Sequence, residues 1–318
     1  MRVSVIVPMY NVQNYIDDCL NSLSMQTMPD LDVLLVDDGC TDDTPKIAQS
    51  YVERFPNRFR MVHKKNGGLS DARNYGIPLV NADYICFLDS DDFVDPDLYG
   101  RLTEMMKDGT DVAVTDIEYY YKDKNRCFKM DGLSGWKTDT LQKQALLSPM
   151  FAWNKMYKAS LFQNDGYRYP TGTWYEDIPV TAMIFAKAQK IAWLHECMMH
   201  YRQRDDSIMS STHSPRVQEI FPVLELVRKN FDDSRLSVQY HDELEYLHIE
   251  HLRLYGMFRF IRSDYSKELY DRSEEVMKQY YPNWKKNRYI SNLSFKNRVF
   301  LNTYSQATAM LYDPLIKR

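Results

Sequence analysis

The sequence predicts an α/β protein with a doubly wound, mostly parallel sheet and a helical C-terminal region. Three observations carry this. Short β-branched runs alternate with stretches of helical apolar spacing through the first third of the chain. Acidic and turn residues gather at the C-terminal ends of those runs. Beyond Ser214-Pro215 no strand candidate of weight remains. Strands alternating with helices imply parallel pairing through right-handed crossovers. Ligands of such sheets bind outside the carboxyl ends of the strands.

The elements follow in order. Residues 3–7 form a β-branched run broken only by Ser4, expected of a strand covered on both faces. Ile16, Leu20 and Leu23 recur at helical spacing, and residues 31–36 make a second buried strand. Thr44-Pro45 reads as a helix start, with a capping hydroxyl and a proline at the first helical position. A third strand over residues 59–63 precedes Gly67-Gly68 and a helix through Ala72, Tyr75 and Ile77. Residues 84–88 are the fourth strand, and Asp95-Pro96 opens a further helix. Residues 115–130 look like a hairpin and 138–147 like a short helix. Residues 178–186 form an apolar helix, and 191–194 and 198–202 read as two strands. A boundary at 213/214 gives two domains, 1–213 and 214–318.

With 318 residues, 44% hydrophobic and 26% charged, the composition is that of an ordinary globular protein. A net charge of −4 leaves no general footprint for nucleic acid. No apolar run approaches the roughly 18 residues of a membrane span. The start reads directly as a strand rather than a signal peptide. Five scattered cysteines without a C-x-x-C pair fit a reducing cytoplasm and argue against a zinc site.

The most informative stretch is Tyr84-Ile85-Cys86-Phe87-Leu88-Asp89-Ser90-Asp91-Asp92, where a buried strand ends in three carboxylates within four positions. Ionised carboxylates are costly to bury without a cation or donor. In an extended chain Asp-x-Asp turns two carboxylates to one side. That arrangement suits Mg²⁺ or Mn²⁺, which take one or two protein carboxylates and complete their shell with water and phosphate oxygens. The dinucleotide and P-loop glycine motifs are absent. A calcium loop counted from Asp89 fails at Phe93 and Val94.

Five ordered motifs resemble glycosyltransferase family 2 across residues 1–213. They are Val3-Ser4-Val5-Ile6-Val7-Pro8-Met9-Tyr10-Asn11, Val36-Asp37-Asp38-Gly39-Cys40-Thr41-Asp42, Gly67-Gly68-Leu69-Ser70-Asp71-Ala72-Arg73-Asn74, Phe87-Leu88-Asp89-Ser90-Asp91-Asp92 and Glu176-Asp177. Trp153-Asn154-Lys155-Met156-Tyr157 and His200-Tyr201-Arg202-Gln203-Arg204 resemble the subset that builds bacterial capsular and exopolysaccharides. The resemblance implies a GT-A fold and an inverting, metal-dependent transfer of a sugar from a nucleotide diphosphate, most simply UDP.

It also implies residue roles, each with a plainer alternative. Asp38 matches the base-reading aspartate, although an acid before glycine after a strand is also an ordinary turn. Pro8, Tyr10 and Asn11 match the loop beneath base and ribose, or merely enter a helix. Arg73 would grip a phosphate as a donor fork, or form a surface ion pair. Asp89 matches the residue touching ribose and metal, and Asp91 the direct metal ligand, with Asp92 unassigned. Their alternative is an acid cluster at a helix start, which suits Asp95 and Asp97 better. Asp177 matches the general base, and Glu176 would bond acceptor or backbone. Both could instead be helix N-terminal acids. His200 would be a metal ligand and Arg202 and Arg204 would grip the diphosphate, or they are a bonded strand histidine and solvated arginines.

The processive-synthase motif Q-x-x-R-W is missing, so one sugar per encounter is expected. The acceptor implied is a glycan or lipid-linked glycan at the cytoplasmic side of the membrane. From Trp284 onward seven basic residues stand against one acidic, a net +6, interleaved with Tyr289, Ile290, Phe295, Phe300 and Leu301. That pattern fits an anionic bilayer surface, or equally a helical cap packed on the catalytic domain or a second copy of the chain. Two rival classes share single features. A haloacid-dehalogenase-like phosphatase also carries Asp-x-Asp after a strand, but on its first strand and without Phe93 at the fifth position. A non-catalytic nucleotide- or carbohydrate-binding protein would not need Asp91 and Asp177 together.

Overall fold

The apolar runs of the first ninety residues become the parallel half of one sheet. This computed structural model describes residues 1–121, 128–130, 138–203, 213–264, 266–305, 308 and 312. Strands β1 (Val3–Met9), β2 (Leu31–Asp37), β3 (Phe59–His63) and β4 (Tyr84–Phe87) pair in parallel, with Val3 opposite both Leu31 and Tyr84 and Val33 opposite Phe59. Every residue of β1 and β2 is buried, as expected for strands covered on both faces. The crossovers are α1 (Ile16–Ser24), α2 (Thr44–Arg54) and α3 (Leu69–Gly76). Helix α1 buries Ile16, Cys19, Leu20 and Leu23, one stripe at helical spacing. Asp43, rather than Thr44, occupies the cap of α2. The Thr44 hydroxyl is drawn away to accept from the Val12 N–H at 2.9 Å.

After β4 the sheet turns mixed. β5 (Phe93–Val94) is a two-residue strand before α4 (Leu98–Met105), and β6 (Val112–Tyr120) forms the expected hairpin with β7 (Phe128–Met130). Helix α5 (Leu141–Leu146) is followed by β8 (Lys155–Lys158), which enters antiparallel between β4 and β6. Helices α6 (Ala159–Gln163) and α7 (Asp177–Lys187) lead to β9 (Ile191–Arg202), parallel to β6 and antiparallel to β5. The order is β3-β2-β1-β4-β8-β6-β9-β5, with β7 beside β6. β9 is one strand where two were expected. Register shifts around Asp116 absorb residues 195–196, so Leu194 faces Thr115 while Cys197 faces Asp116.

The chain forms two compact units, Met1–Gly132 with Pro149–Arg204, and Leu133–Ser148 with Asp205–Arg318. The second takes in α5, which lies on the other side of the 213/214 boundary in sequence. Its remaining helices are α8 (Ile220–Asp233), α9 (His241–His248), α10 (Tyr255–Arg262), α11 (Ser266–Tyr280) and α12 (Phe295–Thr303), with a π-helical turn Ile249–Leu254 joining α9 to α10.

Candidate active site

The carboxylates leave the sheet where β4 stops. Leu88 still pairs with β1 through its N–H to Ile6 O, 3.1 Å, and the Asp92 N–H to Asp89 O contact, 3.1 Å, turns the chain. Ser90 and Asp92 are buried in this turn, while Asp89 and Asp91 are only partly covered. Asp92 Oδ1 accepts from the Arg202 N–H at 2.8 Å, and its Oδ2 has no partner among the described residues. Burial first, then the charges of Asp91 and Asp89, push the Asp92 carboxyl well above the usual range. Asp92 thus serves the turn and is not turned outward as a ligand.

Arg202 completes that turn. Its Nε donates to Asp91 O at 2.8 Å and its Nη2 to Asp18 Oδ2 at 2.8 Å. Its guanidinium also lies over the rings of Tyr15, Phe93 and Tyr120, at 5.6, 5.3 and 5.4 Å. Two arms of this fork thus tie the metal-candidate loop to Asp18, and the expected diphosphate grip would have to use the rest of the guanidinium. His200 lies two residues before Arg202 on β9. Its Nδ1 lies 2.8 Å from Glu118 Oε2 and its Nε2 2.9 Å from Asp95 Oδ1, and the ring stacks on Phe93, so both nitrogens face carboxylates of β6 and the β5–α4 turn. Arg204 lies outside the described residues.

Arg73 links two segments of the site. It is 2% exposed on α3. Nη2 meets Asp89 Oδ1 at 2.6 Å and Nη1 meets Glu176 Oε1 at 2.7 Å, with the guanidinium 5.4 Å over Tyr169. Burial works to lower its pKa, but the charges of Asp89 and Glu176 overcome that and raise it. Both ends of the fork meet carboxylates. Arg73 joins the exit of β4 to the start of α7, two points 87 residues apart in sequence if counted from Asp89 to Glu176.

At that start Tyr175 has φ of +63°, a left-handed conformation uncommon for a bulky residue. This kink lets the chain present Glu176 and Asp177 together as α7 begins. Asp177 is half-buried, and its carboxyl is pushed up to about 7, by burial first and by Glu176 second, against the opposing charges of Arg73 and Lys155. Lys155 is the residue that the sequence reading passed over. It is 1% exposed in β8, and its Nζ donates to Phe151 O at 2.6 Å, Asn154 Oδ1 at 2.7 Å and Pro149 O at 3.2 Å. Burial pulls the Lys155 ammonium down from its ordinary value, with Asp177 the opposing influence. A lone lysine inside the apolar segment Trp153–Tyr157 was the available signal.

The ends of β1 and β2 meet beside this edge. Asp38 is buried, and its carboxylate accepts from Lys64 Nζ at 2.5 Å and from the N–H groups of Gly67 and Gly68 at 3.0 and 2.8 Å. Gly68 takes φ of +87°, open to glycine at no steric cost. Asp37, a neighbour not singled out from sequence, holds the Cys40 N–H and His63 Nδ1, each at 2.8 Å. Pro8 is buried in β1, Tyr10 is half exposed, and Asn11 (φ +50°) accepts from the Thr41 N–H at 2.8 Å.

Among the described residues no three His, Cys, Asp or Glu side chains come together in a metal-holding group. The oxygen-only pair Asp89 and Asp91 fits a hard ion that completes its shell with substrate phosphates, the habit of Mg²⁺ and Mn²⁺. It does not fit a closed all-protein cage.

Residues 4–177 match the family described as Glycosyl transferase family 2. The uncharacterized glycosyltransferase EpsJ of Bacillus subtilis (strain 168) is 31% identical over 228 residues, 68% of this chain and 65% of that protein, just under two thirds of its length. In structure, S. aureus TarS in complex with UDP-GlcNAc superposes with a TM-score of 0.75 at 20% identity, covering 99% of this chain and 89% of that one. The mannosyltransferase PcManGT of Pyrobaculum calidifontis, in complex with GDP-Man and Mn²⁺, gives 0.61 at 16% identity, covering 100% and 88%. With the parallel half-sheet, its carboxylate exit and this span of sequence agreement, the chain belongs to glycosyltransferase family 2 and has the GT-A form of the α/β fold.

Proposed function

We propose that this chain is an inverting, metal-dependent, non-processive glycosyltransferase that moves a sugar from a UDP-sugar to a glycan or lipid-linked glycan in bacterial surface polysaccharide assembly. The observation that carries this is the Asp89–Arg73–Glu176 bridge, which ties the donor-side carboxylates to the segment bearing Asp177. Asp177 acts as the base. Its Oδ takes the proton of the acceptor hydroxyl while that oxygen attacks the anomeric carbon from the face opposite UDP, and the bond to the diphosphate oxygen breaks. A carboxyl poised near neutrality suits that step. Asp91 and Asp89 would hold Mg²⁺ or Mn²⁺, which supplies charge neutralisation for the departing diphosphate. Asp38, Pro8, Tyr10 and Asn11 line the loops assigned to base and ribose, and Glu176 positions rather than reacts.

Transfer on the cytoplasmic side of a membrane is part of the same reading. Among the described residues no helix is long and apolar enough to cross a bilayer. On α12, Phe295 is 74% exposed and Val299 lies exposed one turn on, flanked by Lys296 and Arg298, a surface suited to anionic headgroups. Sedimentation with anionic vesicles should show salt-sensitive binding. Salt-insensitive self-association instead would assign that face to a second copy of the chain.

The direct test is a screen of nucleotide sugars with Mn²⁺ on wild type, Asp177→Asn and Asp91→Asn. Asp177→Asn should bind UDP and lose transfer, and Asp91→Asn should lose metal-dependent UDP binding. Wild-type transfer by Asp177→Asn would remove the base assignment.

A further inference from the structure

The helical unit holds a cleft that the transfer reaction does not use. This cleft, of about 150 Å³, runs between α8, α9, the π-helical turn and α11. A water's share of liquid volume is about 30 Å³, so the cleft has room for a small multi-atom group. Its floor is apolar, from Leu224 and Leu252, and its walls carry Arg228, Arg272 and His248. The Arg228 guanidinium lies 3.3 Å from the centre of the Tyr280 ring, and that of Arg272 lies 4.4 Å from the centre of Phe221. Stacking fixes both cations in place with their edge donors still directed sideways. Glu225 on the rim is the one acidic residue of the lining, so the cleft has an excess of positive charge.

Two buried polar atoms of this lining have no partner among the described residues, Arg228 Nε and His248 Nε2. His248 is fully buried, and its Nδ1 lies 2.7 Å from Leu244 O. Only a protonated Nδ1 can meet a carbonyl oxygen, and burial first, then Arg228 and His251, keep the ring neutral with a pKa lowered to about 3. Nε2 is therefore an acceptor, whereas Arg228 Nε–H is a donor. A hydroxyl, of water or of a ligand, can satisfy a donor and an acceptor of this kind at once. The π-helical turn Ile249–Leu254 sits directly against this wall. It depends on Gly256, where a Cβ would come 1.6 Å from His251 O. Wide turns of this kind are rare and recur mainly at functional sites.

We propose that this cleft binds a phosphate-bearing polyol. One ligand hydroxyl accepts from Arg228 Nε–H and donates to His248 Nε2. The phosphate is taken by the terminal guanidinium groups of Arg228 and Arg272. The polyol carbons cover Leu224 and Leu252. The chemistry is shared by a phosphodiester-linked chain and a free phosphorylated polyol.

Calorimetric titration of the full chain, with UDP and Mn²⁺ present to occupy the catalytic unit, tests this with glycerol 3-phosphate as probe. Binding is expected for glycerol 3-phosphate, weaker binding for inorganic phosphate, and none for glycerol. Loss of a charge-assisted contact in Arg272→Gln or Arg228→Gln should weaken glycerol 3-phosphate by about tenfold or more. Arg272 is exposed, so its variant leaves folding untouched and keeps the test decisive. His248→Phe should weaken glycerol 3-phosphate while leaving inorganic phosphate as it was. Equal binding of glycerophosphoglycerol assigns the site to a polymer chain, and binding of the monoester alone assigns it to a free metabolite. No heat with glycerol 3-phosphate, or undiminished binding by Arg272→Gln, overturns the proposal.

Discussion

Replacing Arg73 by glutamine separates two effects that this structure ties together. In the native protein one guanidinium, 2% exposed, sits between Asp89 and Glu176, whose side chains are 22% and 12% exposed. Glutamine leaves those carboxylates without their cation. Breaking a buried pair by removing one partner costs about 3–5 kcal/mol, and the partial exposure of the acids places this case near 3 kcal/mol. At roughly 2–4 °C per kcal/mol for a unit of this size, the melting transition of the catalytic unit should fall by about 6–12 °C. If Asp89 holds the ion as proposed, Mn²⁺ should return part of that loss by replacing the missing charge.

The second effect is on rate. Arg73 opposes the rise of the Asp177 carboxyl, so without it that carboxyl climbs further above its ordinary value. In the proposed reaction Asp177 is the base, and a base must be ionised to act. The acid limb of kcat/KM therefore moves to higher pH in Arg73→Gln, with much of the lost rate recovered on the alkaline side. Arg73→Lys should hold the limb nearer its wild-type position while still lowering stability. A melting midpoint within 2 °C of wild type, together with an unmoved acid limb, would refute the bridge as the link between donor site and base.

Further outcomes are specific. Wild-type kcat/KM should rise through an acid limb near pH 7, and Asp177→Asn should abolish that limb while cutting the rate by about 10²–10⁴. Arg202→Met should weaken Mn²⁺ binding, followed by electron paramagnetic resonance, because the Asp91-Asp92 turn loses its brace; an unchanged affinity would place that turn's rigidity elsewhere. Phe87→Ala should cost about 3–5 kcal/mol in urea unfolding. Phe87 is fully buried in edge-to-face contact with Phe162 and Tyr169 at 5.4 and 5.3 Å, and a loss under 1 kcal/mol would contradict that packing.

Much of the fold was legible because burial on both faces leaves a plain mark. β1 and β2 are mostly apolar runs, broken only by Ser4, Asp32 and Asp37, and α1 repeats its apolar stripe at helical spacing. β5 and β8 were not legible. Two residues cannot show a period, and Lys155–Lys158 begins with a buried lysine whose three acceptors come from its own tight turn. The merging of residues 191–202 into one strand depends on a bulge opposite Asp116, a matter of pairing that β9 does not encode alone. The partners of His200 and Arg202 were hidden for a related reason. Alternation correctly put the two residues on one side of β9, where both meet Phe93, but their partners Glu118, Asp95 and Asp18 come from three other segments.

By itself, the sequence determined the parallel half-sheet and the acids that gather at its edge, because local periodicity and residue type fix strands, turns and charge, while its ordered motifs carried the resemblance to the family. Only the tertiary structure decided what those charged groups do to each other. Asp89, Arg73 and Glu176 become one bridge, Arg202 a brace, and Lys155 a buried neighbour of Asp177, because ion pairing and desolvation depend on distances between segments far apart in the chain.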